Sequence, residues 1–221
     1  MIKLISNFQL LHKIYSYLIR KTPVFLVHNN AKYVTIKKAL YNLWIDQIEG
    51  DFIEFGVFTG SSFRHTIKTE KALMKASNSK FYGLDSFEGF PESTHPFFKQ
   101  FDYVGNLQKV KKIEKLDNEN IFIIKGYFDK TLETEKLRSI KKIKFAHIDC
   151  DLYISAIEPI RFIKERLVLG AYVMIDDFSN VDRDGNSISK VFYEEFKGLE
   201  FEKVGFFGVD GVLIRYLQSD S

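Results

Sequence analysis

Phe145-Ala-His-Ile-Asp-Cys-Asp-Leu-Tyr153 opens like a strand buried on both faces and then runs into two carboxylates, Asp149 and Asp151, where such a strand should end. The segment Ala171–Phe178 repeats the design, with Ala-Tyr-Val-Met-Ile leading straight into Asp176 and Asp177. As neighbouring parallel strands, the two segments crowd four carboxylates at one sheet edge, where like charges resist ionising together. A hard divalent cation such as Mg²⁺ takes oxygen ligands and removes that conflict, so the segments read as halves of one metal site. Cys150, between two of the acids, reads as a small buried residue, because adjacent strand residues face opposite ways.

Working outward, Asp51-Phe-Ile-Glu-Phe-Gly-Val-Phe-Thr-Gly-Ser-Ser62 reads as a strand, a glycine turn and a helix running through about Ala76. This arrangement lets backbone amides approach a ligand closely. Glu54 is a lone carboxylate in an apolar strand and should be bonded to backbone or to a ligand. Phe81–Asp85 is a second strand with an acid at its end, at about the distance at which doubly wound nucleotide-binding folds place a ribose-binding carboxylate. Pro91–Gly105 is irregular and carries His95, Phe97, Phe98, Phe101 and Tyr103, which suggests a lid or a substrate wall. Leu107–Leu116 reads as a basic helix with a solvated outer face, Ile121–Lys125 as a strand ending at Gly126, and Thr131–Ser139 as a further helix.

Beyond the acidic strands, Tyr153–Val168 reads as a helix despite Pro159, and Ile188–Phe196 as another. Asp182-Arg-Asp-Gly-Asn186 is expected to be a turn rather than a calcium loop, because its Gly is early and no Glu closes the motif. Phe201–Phe207 and Gly211–Leu217 form a hairpin about Asp210-Gly211. Before all of these, Met1–Arg20 has helical apolar spacing with basic interruptions, suiting packing on the domain or on a second subunit, and Pro23 ends it. Val34–Ile48 is an amphipathic helix with Ile36, Leu40, Leu43, Trp44 and Ile48 on its apolar face, stopped by Gly50.

Strand and helix thus alternate five times before a hairpin, which implies an α/β fold: a doubly wound, mainly parallel sheet with a C-terminal antiparallel hairpin and ligands at the carboxyl ends of its strands. Residues 1–49 form a helical extension, a lid or oligomer contact, and residues 50–221 the catalytic domain. With 221 residues, 45% hydrophobic and 28% charged, the chain suits one domain with an appendage and buries roughly 70% of its unfolded surface. Its net charge of +3 is scattered, so nucleic acid is not implied. A single cysteine agrees with a reducing compartment. No signal-peptide pattern and no run of ~18–20 apolar residues is present, so a cytoplasmic protein without a transmembrane segment is expected.

Several motifs together, in order and spacing, resemble the macrocin O-methyltransferase family of class I S-adenosylmethionine-dependent enzymes. They are Gly50-Asp-Phe-Ile-Glu-Phe-Gly-Val57, Gly83-Leu-Asp-Ser-Phe-Glu-Gly-Phe-Pro91, Lys125-Gly-Tyr-Phe-Asp-Lys-Thr-Leu132, His147–Tyr153 and Ile175-Asp-Asp-Phe178. The resemblance covers about Val34 to Leu217 and implies a Rossmann-like methyltransferase sheet. It implies an S-adenosylmethionine pocket on Glu54, Phe55, Gly56, Val57, Gly60, Ser61, Ser62, Asp85, Ser86, Gly126 and Asp149, with Asp85 on the ribose hydroxyls. It further implies Mg²⁺ on Asp149, Asp176 and Asp177, a sugar or glycoside hydroxyl as acceptor, and a homo-oligomer. The chain departs from the family at the glycine turn, where Phe58 and Thr59 replace the usual tryptophan and arginine.

Transfer of a methyl group to oxygen needs an aligned and at least partly deprotonated hydroxyl. Catechol O-methyltransferase, whose fold is similar, has a lysine three positions after its first metal aspartate, where this chain has Leu152. The expected base is therefore Asp151, with Asp149 and His147 behind it, although a histidine so far back on a strand is more often a satisfied core residue. Phe97, Phe98, Phe101 and Tyr103 are available to stack on a sugar. The alternative is a metal-dependent glycosyltransferase, in which Asp149-Cys-Asp151 is a DxD pair holding a nucleotide sugar.

Overall fold

The computed structural model describes residues 2–74, 77–92 and 95–219. Helices α1 (Ile2–Lys21) and α2 (Val24–Ile45) precede β1 (Asp51–Phe55), α3 (Ser61–Leu73) and β2 (Phe81–Asp85). The short helix α4 (Leu107–Lys111), β3 (Ile121–Lys125), the short helices α5 (Phe128–Thr131) and α6 (Glu135–Arg138), and β4 (Ile143–Ile148) follow. The chain ends with α7 (Tyr153–Lys164), β5 (Leu167–Ile175), α8 (Ile188–Glu195) and the hairpin β6 (Leu199–Phe207) and β7 (Gly211–Ser219).

The strands form a seven-stranded sheet in the order β3-β2-β1-β4-β5-β7-β6. Every pairing from β3 to β5 is parallel, whereas β7 runs antiparallel to both neighbours. The expected doubly wound sheet with a C-terminal hairpin is therefore found. Alternation along the central strands sends Ile53, Phe55, Ala146 and Ile148 to one face, with α7 and α8, and Phe52, Phe145 and Tyr172 to the other, with α2 and α3. Both faces are covered by helices, which is why these strands read as continuous apolar runs.

Several boundaries differ from the sequence expectation for local reasons. The second helix starts at Val24, not Val34, directly after Pro23, whose extended ψ of 144° breaks it from α1. Its buried stripe is Lys32, Ile36, Ala39, Leu40 and Leu43, while Trp44 is 41% exposed and Ile48 lies beyond the helix. The helix after the glycine turn ends at Leu73, and Ala76 lies outside the described residues, as does Met1. The stretch Leu107–Leu116 divides into α4 and a single 3-10 turn, Glu114–Leu116, with Val110 and Ile113 buried. Thr131–Ser139 likewise divides between α5 and α6. Helix α7 stops at Lys164, and Leu167 and Val168 belong to β5, where Gly170 at φ 82° accompanies a register shift. Asp182–Asn186 is a turn, as expected, with Asp182 Oδ1 accepting the N–H groups of Asp184 and Asn186.

Candidate active site

Strand order reverses between β1 and β4, and the crevice there is where such sheets hold ligands. The residues leaving the strands are tied into one row. Gly126 N–H donates to Asp85 O, Gly56 N–H to Leu84 O, Asp149 N–H to Phe55 O and Asp176 N–H to Ile148 O, each at 2.9 Å. Residues far apart in sequence are thereby set level along the carboxyl edge. Above it lies a cavity of about 1080 Å³ lined by Gly56, Val57, Ser61, Ser62, Asp85, Ser86, Gly126, Asp149, Asp151, Asp176 and Asp177 among others.

At the nucleotide end, Asp85 is buried and its two oxygens accept the N–H groups of Phe58 (2.7 Å) and Phe87 (2.6 Å). Burial raises its pKa, with these backbone hydrogen bonds opposing. Ser86 Oγ donates to Gly89 O at 2.9 Å and so shapes the loop beside it. Gly56 has φ 90°, and a Cβ on it would lie 1.8 Å from the carbonyl oxygen of Asp149, so β1 and β4 meet here with no room for a side chain. Gly60 acts differently, since a Cβ there would strike Ile113 Cδ1, and it does not line the cavity. Phe58, at φ 47°, stands in the turn and is 38% exposed at the cavity.

Glu54 and Phe55 also lie behind the cavity wall. Glu54 accepts a hydrogen bond from Ser62 Oγ at 2.7 Å and faces His147 Nδ1 at 3.2 Å, so its partners are side chains rather than the expected backbone or ligand. His147 is fully buried between Glu54 and Asp149, its Nε2 3.8 Å from the latter. Burial opposes its charged form, but the two carboxylates outweigh that and raise its pKa. Neither ring nitrogen makes a well-aligned hydrogen bond, and the ring does not reach the cavity.

The acidic end holds two residues that sequence reasoning missed. Lys32 Nζ lies 2.8 Å from Asp149 Oδ2 and 2.6 Å from Asp176 Oδ2. One helical turn earlier, His28 Nε2 lies 3.0 Å from the same Asp176 oxygen, while His28 Nδ1 accepts the Val209 N–H at 3.1 Å. That last bond requires an unprotonated Nδ1, so His28 donates through Nε2. Burial disfavours the Lys32 ammonium, yet Asp149 and Asp176 outweigh it and raise its pKa above that of an ordinary lysine. Burial likewise disfavours ionised Asp176, but His28 and Lys32 hold its carboxyl below the usual range.

Asp149, Asp176 and Asp177 offer one oxygen each within 4.8 Å of one another, so the structure brings together the three acids expected to hold a metal. Asp151 faces Asp177. Burial, then the charges of Asp149 and Asp177, push Asp151 well above the carboxylate range, and burial together with Asp176 raises Asp177 to about 6. Each of these two carboxyls thus raises the cost of ionising its neighbour. Both have positive φ, 59° and 47°, backbone strain of the kind that concentrates at functional sites. Of the aromatic loop, Phe98 and Tyr103 line the cavity together with Phe90, whereas Phe97 and Phe101 are 81% and 61% exposed and do not.

The model of the macrocin-O-methyltransferase (TylF) family matches residues 29–200. No curated protein matches the chain. Among solved structures, the O-methyltransferase NovP superposes with a TM-score of 0.69 at 18% identity, covering 85% of this chain and 80% of its own. CalS11, a calicheamicin methyltransferase, gives 0.69 at 16% identity with 91% and 85% coverage. Its apo form, described as a TDP-rhamnose 3′-O-methyltransferase, gives 0.62 at 18% identity with 91% and 86% coverage. The O-methyltransferase from Bacillus cereus in complex with S-adenosylhomocysteine gives 0.56 at 14% identity with 88% and 89% coverage. At such identities the likeness is one of fold.

Proposed function

The chain belongs to the macrocin O-methyltransferase family, and from that premise we propose that it methylates a hydroxyl of a sugar or glycosylated small molecule, using S-adenosylmethionine and a magnesium ion. Family membership sets aside the glycosyltransferase alternative. The observation that carries the reading is the row along the sheet edge, which aligns a buried ribose-type carboxylate, Asp85, with the Asp149–Asp151–Asp176–Asp177 cluster across one cavity. The sugar acceptor is supported by the CalS11 fold, whose owner is described as a TDP-rhamnose 3′-O-methyltransferase, and by Phe90, Phe98 and Tyr103 on the cavity wall.

S-adenosylmethionine supplies the methyl group as a sulfonium. The residues fit it: Asp85 keeps lone pairs for ribose hydroxyls after taking two backbone N–H bonds, and the open turn at Gly56 and Val57 borders the cavity. Asp149, Asp176 and Asp177 fit magnesium, being a hard, all-oxygen donor set. When bound, the ion supplies positive charge that favours the deprotonated acceptor hydroxyl. Asp151, as the carboxylate, accepts the proton of that hydroxyl, and it lines the same cavity as the metal-donor aspartates. His147, buried between Glu54 and Asp149, acts as a positioning residue through its charge behind Asp149.

Calorimetric titration with S-adenosylhomocysteine tests the reading: the purified protein is expected to bind it, and Asp85→Ala to weaken binding at least tenfold. Mass spectrometry of nucleotide sugars incubated with enzyme, S-adenosylmethionine and Mg²⁺ then identifies the acceptor. Absence of adenosyl-ligand binding would sink the proposal.

A further inference from the structure

Taking the methyltransferase reading as its ground, we propose that the Lys32 ammonium is the resident counter-ion of the acidic cluster, so that a divalent cation reaches Asp149 and Asp176 only by displacing it. Lys32 contacts an oxygen of each of these two aspartates, at 2.8 and 2.6 Å, and both belong to the three acids that converge as metal donors. An ammonium and a divalent ion on the same pair of carboxylates repel strongly in a buried site, so occupation by one opposes the other.

The fold allows the exchange. Helix α2 is held by Ile36, Ala39, Leu40 and Leu43, buried against the sheet and α3, so the Lys32 backbone stays in place. Its flexible four-carbon stem borders the cavity and has space into which to swing. His28 keeps its own bond to Asp176 and its Val209 anchor, which holds α2 on the cluster when the ammonium leaves.

The test measures Mn²⁺ binding to the full chain by electron paramagnetic resonance, without adenosyl ligand, in wild type and Lys32→Met. The variant is expected to bind at least tenfold more tightly, and equal or weaker binding overturns the proposal. A second measurement needs no variant: acetic anhydride labelling of the wild-type protein, read by mass spectrometry. Lys32 is expected to be protected without metal and to label faster at saturating Mg²⁺, while unchanged protection with Mg²⁺ bound overturns the proposal. S-adenosylhomocysteine titration separates the two readings. Binding of that ligand with no Mn²⁺ uptake by either protein removes the competition and leaves the methyltransferase standing. Failure of wild type to bind it removes the methyltransferase reading itself.

Discussion

At Gly56 a single methyl group is enough to break the site. A Cβ would sit 1.8 Å from the Asp149 carbonyl oxygen, and that neighbour is backbone and cannot swing aside. Gly56→Ala is therefore expected to cost at least about 2–3 kcal/mol and to lower the unfolding midpoint in urea. Asp151 carries the chemical expectation. Asp151→Asn keeps the shape but cannot accept a proton, so single-turnover rates should fall by about 10²–10⁴-fold while S-adenosylhomocysteine affinity is unchanged. Because a base works only when deprotonated, the wild-type rate should rise with pH through the apparent pKa of the Asp151–Asp177 pair, and this rise should vanish in the variant. An equal rate in Asp151→Asn would move the role of base elsewhere. Such acids were legible in the sequence because each follows an apolar strand, where a carboxylate has no structural reason to be. The pairing of Asp151 with Asp177 was not, since it depends on two turns with positive φ.

Among the elements, α2 and the β4–α3 contact show what spacing alone conceals. Lys32 lies one turn before Ile36 on the stripe that continues through Leu40 and Leu43, so a charge on the core face was visible as a pattern. It was missed because the helix was read as starting at Val34. A second buried charge, Lys144 of β4, reaches Glu70 of α3 at 2.9 Å, both side chains almost wholly buried. Glu70→Ala leaves the ammonium unpaired and is expected to cost about 3–5 kcal/mol, whereas Glu70→Leu combined with Lys144→Met should recover most of the loss in denaturant unfolding. If the double variant were as unstable as the single one, packing rather than charge would account for the cost.

For the molecule as a whole, α1 bears exposed Phe8, Leu11, Tyr15 and Leu18, surface that a helix of this length ordinarily buries against something. Self-association through this segment is the expected use, and sedimentation of the chain lacking residues 1–21 should give a smaller species than the full chain. An unchanged size would exclude α1 from the contact. No helix among the described residues is long and apolar enough to cross a membrane. The sequence by itself determined the alternating parallel sheet, the hairpin, the glycine turn and the acids at the strand ends, because periodicity and strand-end chemistry are local and survive without knowledge of neighbours. Only the tertiary structure decided that the cation facing Asp149 and Asp176 is a lysine 117 residues upstream of the first of them. The repulsion among four acids can be read in one dimension, but which positive charge answers it depends on where α2 lies across the sheet edge.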